Sequence, residues 1–308
     1  HYAPRTAILN NLEFDHADIF DNLEAIQRQF HHLVRTVPGN GLLIVPHGEG
    51  TIEMVLRMGN WTSKQRFGVA VPEEVCKKLA ANGGVFWNAE LLNGQGSEFE
   101  LIKYGQGFVG EVMSRTLVEW GVTGVHNVKN GIAAIAAAHH VGIDVATAVE
   151  GLQTYKGVKR RMELRGEVEG VKVYDDFAHH PTAIMTTLQG IHMKLKSEAA
   201  ESRLIAVIEP RSNTMKLGIY QHHLVEACQK ADMVIWQKPE KSGLDFNALV
   251  ADSKVPGYAF STTDEIVSFI EDNSIKGDNI VVMSNGSFDG IHEKLLCALD
   301  HSATGASG

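Results

Sequence analysis

Seven consecutive residues, Asp175-Asp176-Phe177-Ala178-His179-His180-Pro181, set two carboxylates and two imidazoles side by side. The carboxylates close an apolar strand pattern (Val171, Val173, Tyr174), and Pro181 suits the first turn of a helix. Ionisable groups at the carboxyl end of a strand, beside a helix N-terminus, stand where open α/β sheets bind anions and carry out chemistry. Fifteen residues before Asp176 is Arg161, the last of the cationic triplet Lys159-Arg160-Arg161. Arginine forks engage two phosphate oxygens at once, so the triplet suits a polyphosphate; a solvated surface has the same composition.

Three further groups have types and spacing that could do chemistry. Asn11-Leu12-Glu13-Phe14-Asp15-His16-Ala17-Asp18 follows a short apolar strand, Ala7–Leu9. Carboxylates with an imidazole suit a divalent cation, and Asp15 and Asp18 equally suit capping of the next helix. Gly124-Val125-His126-Asn127-Val128-Lys129-Asn130 opens an Ala-rich helix. Asn127 and Asn130 share one face of it, each offering the donor and acceptor an adenine edge needs; polar capping of a buried helix accounts for them as well. Last, Ile208-Glu209-Pro210-Arg211-Ser212-Asn213-Thr214 and Ser284-Asn285-Gly286-Ser287-Phe288-Asp289-Gly290 each follow an apolar strand, at the ligand edge expected of an open sheet.

The elements that must position these groups alternate. In the first half, strand Ala7–Leu9 leads to a helix spaced on Ile19, Leu23, Ile26, Phe30 and Leu33, then strand Leu42–Val45 and helix Ile52–Met58. Strand-like pieces at Phe67–Val71, Val85–Asn88 and Glu98–Tyr104 follow, separated by Gly-rich turns. A long helix spans Asn127–Val141, and Asp144 caps another at Val145–Gln153. The second half predicts strands at Met162–Val168, Val171–Tyr174, Leu204–Ile208, Met233–Trp236, Tyr258–Phe260 and Ile280–Met283. Helices are expected at Thr182–Leu195, Ile219–Lys230, Asn247–Ala251, Thr263–Glu271 and Ile291–Leu299. That alternation is the pattern of a parallel, doubly wound α/β sheet, with a domain boundary near Tyr155–Arg161.

Composition narrows the function classes. The 308 residues are enough for two domains, each with its own core. A net charge of −9 argues against general nucleic-acid binding, and no apolar run reaches a membrane span. Cys76, Cys228 and Cys297 lie far apart without metal or disulfide spacing, which suits reduced thiols in the cytoplasm.

The motifs, in this order and spacing, resemble the Mur ligases, the ATP-dependent amide-forming enzymes of peptidoglycan. The resemblance covers nearly the whole chain. It implies that residues 1–158 are the rear part of the family's central ATP-binding domain and 159–300 a Rossmann-like doubly wound C-terminal domain, with a small polar tail at 301–308. No Gly-x-x-x-x-Gly-Lys-Ser/Thr loop occurs, so the phosphate loop and UDP-sugar domain are expected before His1. ATP and Mg2+ are the implied cofactors. The resemblance makes His16 a magnesium ligand, puts Asn127 and Asn130 on the adenine, and puts Arg161 and Asp176 on the nucleotide. It gives His179 and His180 a part in orienting phosphate or amine. His31 stands where many members carry a carbamylated lysine; this departure resembles the subset adding to UDP-N-acetylmuramate itself and counts against a carbamate-bound second magnesium.

Glu209–Thr214 and Ser284-Asn285-Gly286 resemble most the members that join L-alanyl-γ-D-glutamyl-meso-diaminopimelate, a recycled murein tripeptide, to UDP-N-acetylmuramate. Arg211 is then the carboxylate anchor, with Ser212, Asn213, Ser284 and Asn285 as further peptide contacts. Ser287 and Asp289 stand where relatives usually have Gly. The alternatives are the related L-alanine-adding ligase, or a peptide- or nucleotide-binding module without catalysis. The fragment by itself is expected to lack ligation.

Overall fold

The computed structural model describes residues 3–81, 83–105, 110–198 and 202–305. The chain divides into two compact units, His1–Lys156 and Gly157–Gly308.

The first unit is built on a six-stranded sheet in chain order. Its strands are β1 (Thr6–Ile8), β2 (Leu42–Pro46), β3 (Ser63–Val69), β4 (Val85–Leu91), β5 (Glu98–Gly105) and β6 (Val112–Glu119). β1 to β4 pair in parallel, and β5 and β6 add antiparallel. The helices are α1 (Leu23–Thr36), α2 (Gly50–Arg57), α3 (Glu73–Ala80), α4 (Val125–His140) and α5 (Val145–Gln153). β2 is buried at all five positions because both its faces are covered. Leu42 and Ile44 meet Val128, Ile132 and Ala136 of α4 on one face. Leu43 and Val45 meet Ile26, Val34, Ile52 and Val55 of α1 and α2 on the other.

The second unit holds β7 (Glu163–Val168), β8 (Val171–Asp176), β9 (Leu204–Ile208), β10 (Met233–Gln237), β11 (Gly257–Phe260) and β12 (Asn279–Met283). Their order across the sheet is β11-β10-β9-β12-β8-β7, parallel except for β7. β7 and β8 form a hairpin through Glu169-Gly170, both at positive φ (49° and 79°), the turn that matches strand twist. Helices α6 (Pro181–Glu198), α7 (Asn213–Lys216), α8 (Gln221–Ala227) and α9 (Phe246–Ala251) follow in order, then α10 (Thr263–Asn273) and α11 (Ile291–Gly305). Alternate residues of β9 separate the two cores: Leu204, Ala206 and Ile208 pack with α6, α8 and α9, while Ile205 and Val207 pack with α10 and α11. Truncating one of these, as in Ile205→Ala, costs about 2–5 kcal/mol.

β8 and β9 are thus followed by helices on one face, and β12, between them, by α11 on the other. That reversal opens a crevice at the strands' carboxyl ends. The Rossmann-like architecture agrees with the sequence reading, with several differences in detail. Ile19 lies before α1 and is exposed, because the chain at His16–Phe20 is a turn rather than a helix. α3, β6 and α7 have no counterpart in the reading, and β7 runs antiparallel as one arm of the hairpin. The predicted helix 219–230 shortens to Gln221–Ala227, and the helix expected to end at Leu299 runs on to Gly305 in the segment read as a tail. No helix among the described residues is long and apolar enough to cross a membrane.

Candidate functional site

In the first unit the residues singled out sit after β1 and at the start of α4. His16 is exposed and holds a left-handed backbone (φ 53°). Its N–H donates to Asp15 Oδ1 at 2.7 Å, and its carbonyl accepts from the N–H groups of Ile19 (2.8 Å) and Phe20 (2.9 Å). These bonds hold a conformation that costs a β-substituted residue about 1–2 kcal/mol. Among the described residues no group of three or more His, Cys, Asp or Glu could hold a metal ion. His16 offers one nitrogen donor, and magnesium favours six oxygen-rich ligands, so a magnesium sphere that included it would need other donors. His31 Nε2 is 3.1 Å from the Gly59 carbonyl, a structural contact.

Asn127 and Asn130 do share a face of α4, with different duties. Asn127 Nδ2 donates to the Thr123 carbonyl at 2.7 Å and closes the turn that opens the helix. Asn130 is exposed, and its Oδ1 accepts from the side chain of Asn10 at the end of β1.

In the second unit the carboxyl ends of β8, β12 and β9 converge. Ser284 N–H donates to the Asp176 carbonyl (3.1 Å), and Glu209 N–H donates to the Met283 carbonyl (3.0 Å). The Ser284 hydroxyl donates to the Glu209 carboxylate and accepts from Gly286 N–H at 2.8 Å. Asp175 and Asp176 are the last residues of β8 rather than part of the loop, and both are buried.

Asp176 organises the backbone. Its Oδ2 accepts from Met162 N–H (2.9 Å), and its Oδ1 accepts from Ala178 N–H (2.8 Å) and the Thr187 hydroxyl (3.2 Å). Burial pushes its pKa above the ordinary aspartate value, and the bonds from Ala178 and Met162 partly offset that. The turn it clamps carries the basic triplet, with Arg160 and Met162 both at positive φ (59° and 52°). Arg161 is exposed, its guanidinium 5.6 Å from the centre of the Phe177 ring. Arg160 approaches the same ring at 5.1 Å. His179 Nδ1 lies 2.8 Å from the Phe177 carbonyl, so Nδ1 carries the proton and Nε2 is the basic nitrogen. His180 stacks edge-on against Tyr220, ring centres 4.9 Å apart.

Arg211 leads out from Glu209, to which it pairs at 3.7 Å, with half its side chain exposed. It lies across Gly286, where a β-carbon would come within 2.5 Å of its guanidinium. Ser212 caps α7, its hydroxyl accepting from Met215 N–H at 3.3 Å, and Asn213 begins that short helix. Asn285 Oδ1 is buried without a hydrogen-bond partner beside this cluster.

Sequence reasoning gave no role to Arg160 or Glu209, and took His292 only as part of the Gly290-Ile291-His292 run that resembles the tripeptide-adding members. Arg160 was hidden in its triplet, since nothing in the spacing separates an inward from an outward arginine. His292 lies on α11, its Nε2 3.5 Å from Asp175; the Gly-Ile-His run marks the residue but not its partner.

A model of the Mur ligase middle domain matches residues 1–138, and a model of the Mur ligase glutamate ligase domain matches 160–286. The chain belongs to the Mur ligase family. It is 44% identical, over 99% of its length, to the UDP-N-acetylmuramate–L-alanyl-γ-D-glutamyl-meso-2,6-diaminoheptandioate ligase of Escherichia coli K12, of which it covers 62%. A UDP-N-acetylmuramate–L-alanine ligase from a Cyanothece species is 26% identical over 96% of the chain, which covers 60% of it. The crystal structure of a murein peptide ligase from Psychrobacter arcticus aligns with a TM-score of 0.67 at 42% identity, covering 97% of this chain and 58% of that one. This Mur ligase chain therefore spans about three fifths of the length of the relatives it matches.

Proposed function

We propose that this chain is the nucleotide- and peptide-handling part of an ATP-dependent ligase that joins L-alanyl-γ-D-glutamyl-meso-diaminopimelate to UDP-N-acetylmuramate. The observation that carries the reading is the 44% identity to a ligase of that name, against 26% to an L-alanine ligase. Support comes from the crevice between β8, β12 and β9, where Arg161 and Arg211 present exposed cations.

In the first proposed step, a muramoyl carboxylate oxygen attacks the γ-phosphorus of ATP and ADP leaves. Asn127 and Asn130 would meet the adenine. Arg161, held on the Phe177 ring, would bind phosphoryl oxygens, whose charge is what such a transfer needs stabilised. Asp176 would act by fixing the turn before Arg161, since its own oxygens are engaged by Met162, Ala178 and Thr187. Magnesium, when bound, neutralises phosphate charge; of this chain's residues His16 is the proposed ligand, and the sphere would need other donors.

In the second step the peptide amine attacks the acyl phosphate carbon. The tetrahedral intermediate collapses, the C–O bond to phosphate breaks and inorganic phosphate leaves. The amine must shed a proton, and Nε2 of His179, whose Nδ1 is engaged by the Phe177 carbonyl, suits that role. His180 would orient phosphate or amine beside it. Arg211 would pair with a peptide carboxylate, with Ser212, Asn213, Ser284 and Asn285 lining the same edge.

The test is phosphate release by the full-length protein with ATP and UDP-N-acetylmuramate. Turnover is expected with the tripeptide. Turnover with L-alanine instead would overturn the acceptor, and binding of both substrates without turnover would leave a non-catalytic module. The 308-residue chain by itself is expected to release no phosphate.

A further inference from the structure

Arg160 has more partners than a surface residue of a basic triplet requires. Its Nη2 donates to two carbonyls of one loop, Ser284 O at 2.8 Å and Gly286 O at 2.7 Å. Its Nε faces Asp175, whose carboxylate is 3.3 Å away and 3% exposed. The Phe177 N–H donates to its carbonyl (2.8 Å), and its own N–H donates to Glu163 Oε2 (2.8 Å). The residue that makes these contacts has a left-handed backbone, φ 59°.

We infer that Arg160 is the positioning residue that shapes the Ser284–Gly286 loop for the incoming peptide. One nitrogen holding two carbonyls two residues apart makes both converge on it, so the loop must curl over the guanidinium. Buried Asp175 fixes the other side of the fork. Arg211 rests against Gly286 of the same loop. The path therefore runs from Asp175 through Arg160 and Gly286 to Arg211, and Arg160 itself need not touch substrate. A lysine keeps the charge opposite Asp175 but lacks the planar fork that reaches carbonyls and carboxylate together.

This inference rests on the proposed assignment of Arg211 and the Ser284 loop to the peptide. Its test is steady-state kinetics of full-length Arg160→Lys and Arg160→Gln, varying ATP, UDP-N-acetylmuramate and tripeptide in turn. The expected result is a rise of about tenfold in KM for the tripeptide, with the other two constants within about twofold. A merely structural role would move all three together or lower the amount of folded enzyme. If Arg160→Gln does not fold, Arg160→Lys carries the test. Unchanged tripeptide KM in folded Arg160→Lys, or an equal rise for ATP, overturns the inference while leaving the proposed function standing. Absence of tripeptide turnover by the wild type overturns the proposed function, and this inference with it.

Discussion

The side chains of Asp175 and Asp176, consecutive at the end of β8, point to opposite faces of the sheet and meet opposite kinds of partner. Asp175 faces cations, pairing with Arg160 at 3.3 Å and Arg165 at 3.8 Å, with His292 Nε2 at 3.5 Å. Asp176 faces neutral donors, the amides of Met162 and Ala178 and the hydroxyl of Thr187. Strand alternation alone separates them. One holds the loop after β12 through Arg160, and the other holds the turn before β7, so two adjacent residues set both walls of the crevice.

Asp176→Asn should destabilise the protein by about 1–3 kcal/mol, because an amide has one acceptor oxygen for donors that now share two. Denaturant unfolding measures it. The pH dependence has a definite sign. Burial raises the folded carboxyl above its ordinary value, so its contribution is fully present at pH below that value and fades as pH rises through the folded one. The gap between wild type and Asp176→Asn should therefore widen on acidification towards about pH 4. A gap that narrows there would contradict the assignment.

Gly286→Ala should weaken peptide binding while leaving stability nearly intact. A β-carbon at Gly286 would sit 2.5 Å from Arg211 Nη1 and 2.6 Å from its Cδ. The backbone of Gly286 is not in the left-handed region, so alanine fits and the flexible arginine moves. A rise of about tenfold in KM for the tripeptide is expected, the size of one lost charge-assisted contact. A melting temperature lowered by many degrees with unchanged KM would place the role of Gly286 in folding instead.

Asn130→Ala and Asn127→Ala should separate binding from stability. Asn130 is exposed, and its side chain accepts from Asn10, so its loss should raise KM for ATP with little change in melting. Asn127 closes the turn onto Thr123, so its loss should also cost about 1 kcal/mol of stability. Equal melting of the two variants would refute the division of duties.

Much of this was legible in the sequence, for reasons particular residues show. β9 and β12 read as strands because both their faces are buried, leaving uninterrupted apolar runs, and Asp144 read as a cap because its side chain accepts from Thr147 N–H at 3.0 Å. α3 was legible but unread: Pro72 precedes Glu73 and Glu74, Lys77 and Lys78 close the helix, and Glu73 pairs with Lys77 at 2.8 Å. β6 was not legible, because as an edge strand it leaves Met113 and Leu117 exposed and alternation is lost. Within the site, the motifs marked where chemistry concentrates but not which way side chains point. Arg160 and Arg161 are neighbours of one type; a left-handed backbone turns the first to the Ser284 loop while the second stays exposed. Such a backbone has no local sequence signal in a non-glycine residue.

His292 offers a stability switch with a predictable direction. It is 6% exposed on α11, and the groups facing it are Asp175, Arg165, Glu293 and Arg160. Burial lowers its pKa below the ordinary 6.5; Asp175 opposes that and Arg165 adds to it. A group with a depressed folded pKa contributes stability that is present above its ordinary value and lost as pH falls through the folded one. Wild-type melting should thus fall faster than that of His292→Gln as pH drops from about 7 to about 5, because the glutamine cannot take up a proton. The measurement is the melting difference between the two proteins at both pH values. A difference that stays constant would mean that His292 takes up its proton equally in the folded and unfolded chain, so that burial does not depress it, and one that grows towards acid in favour of the wild type would mean that Asp175 outweighs burial.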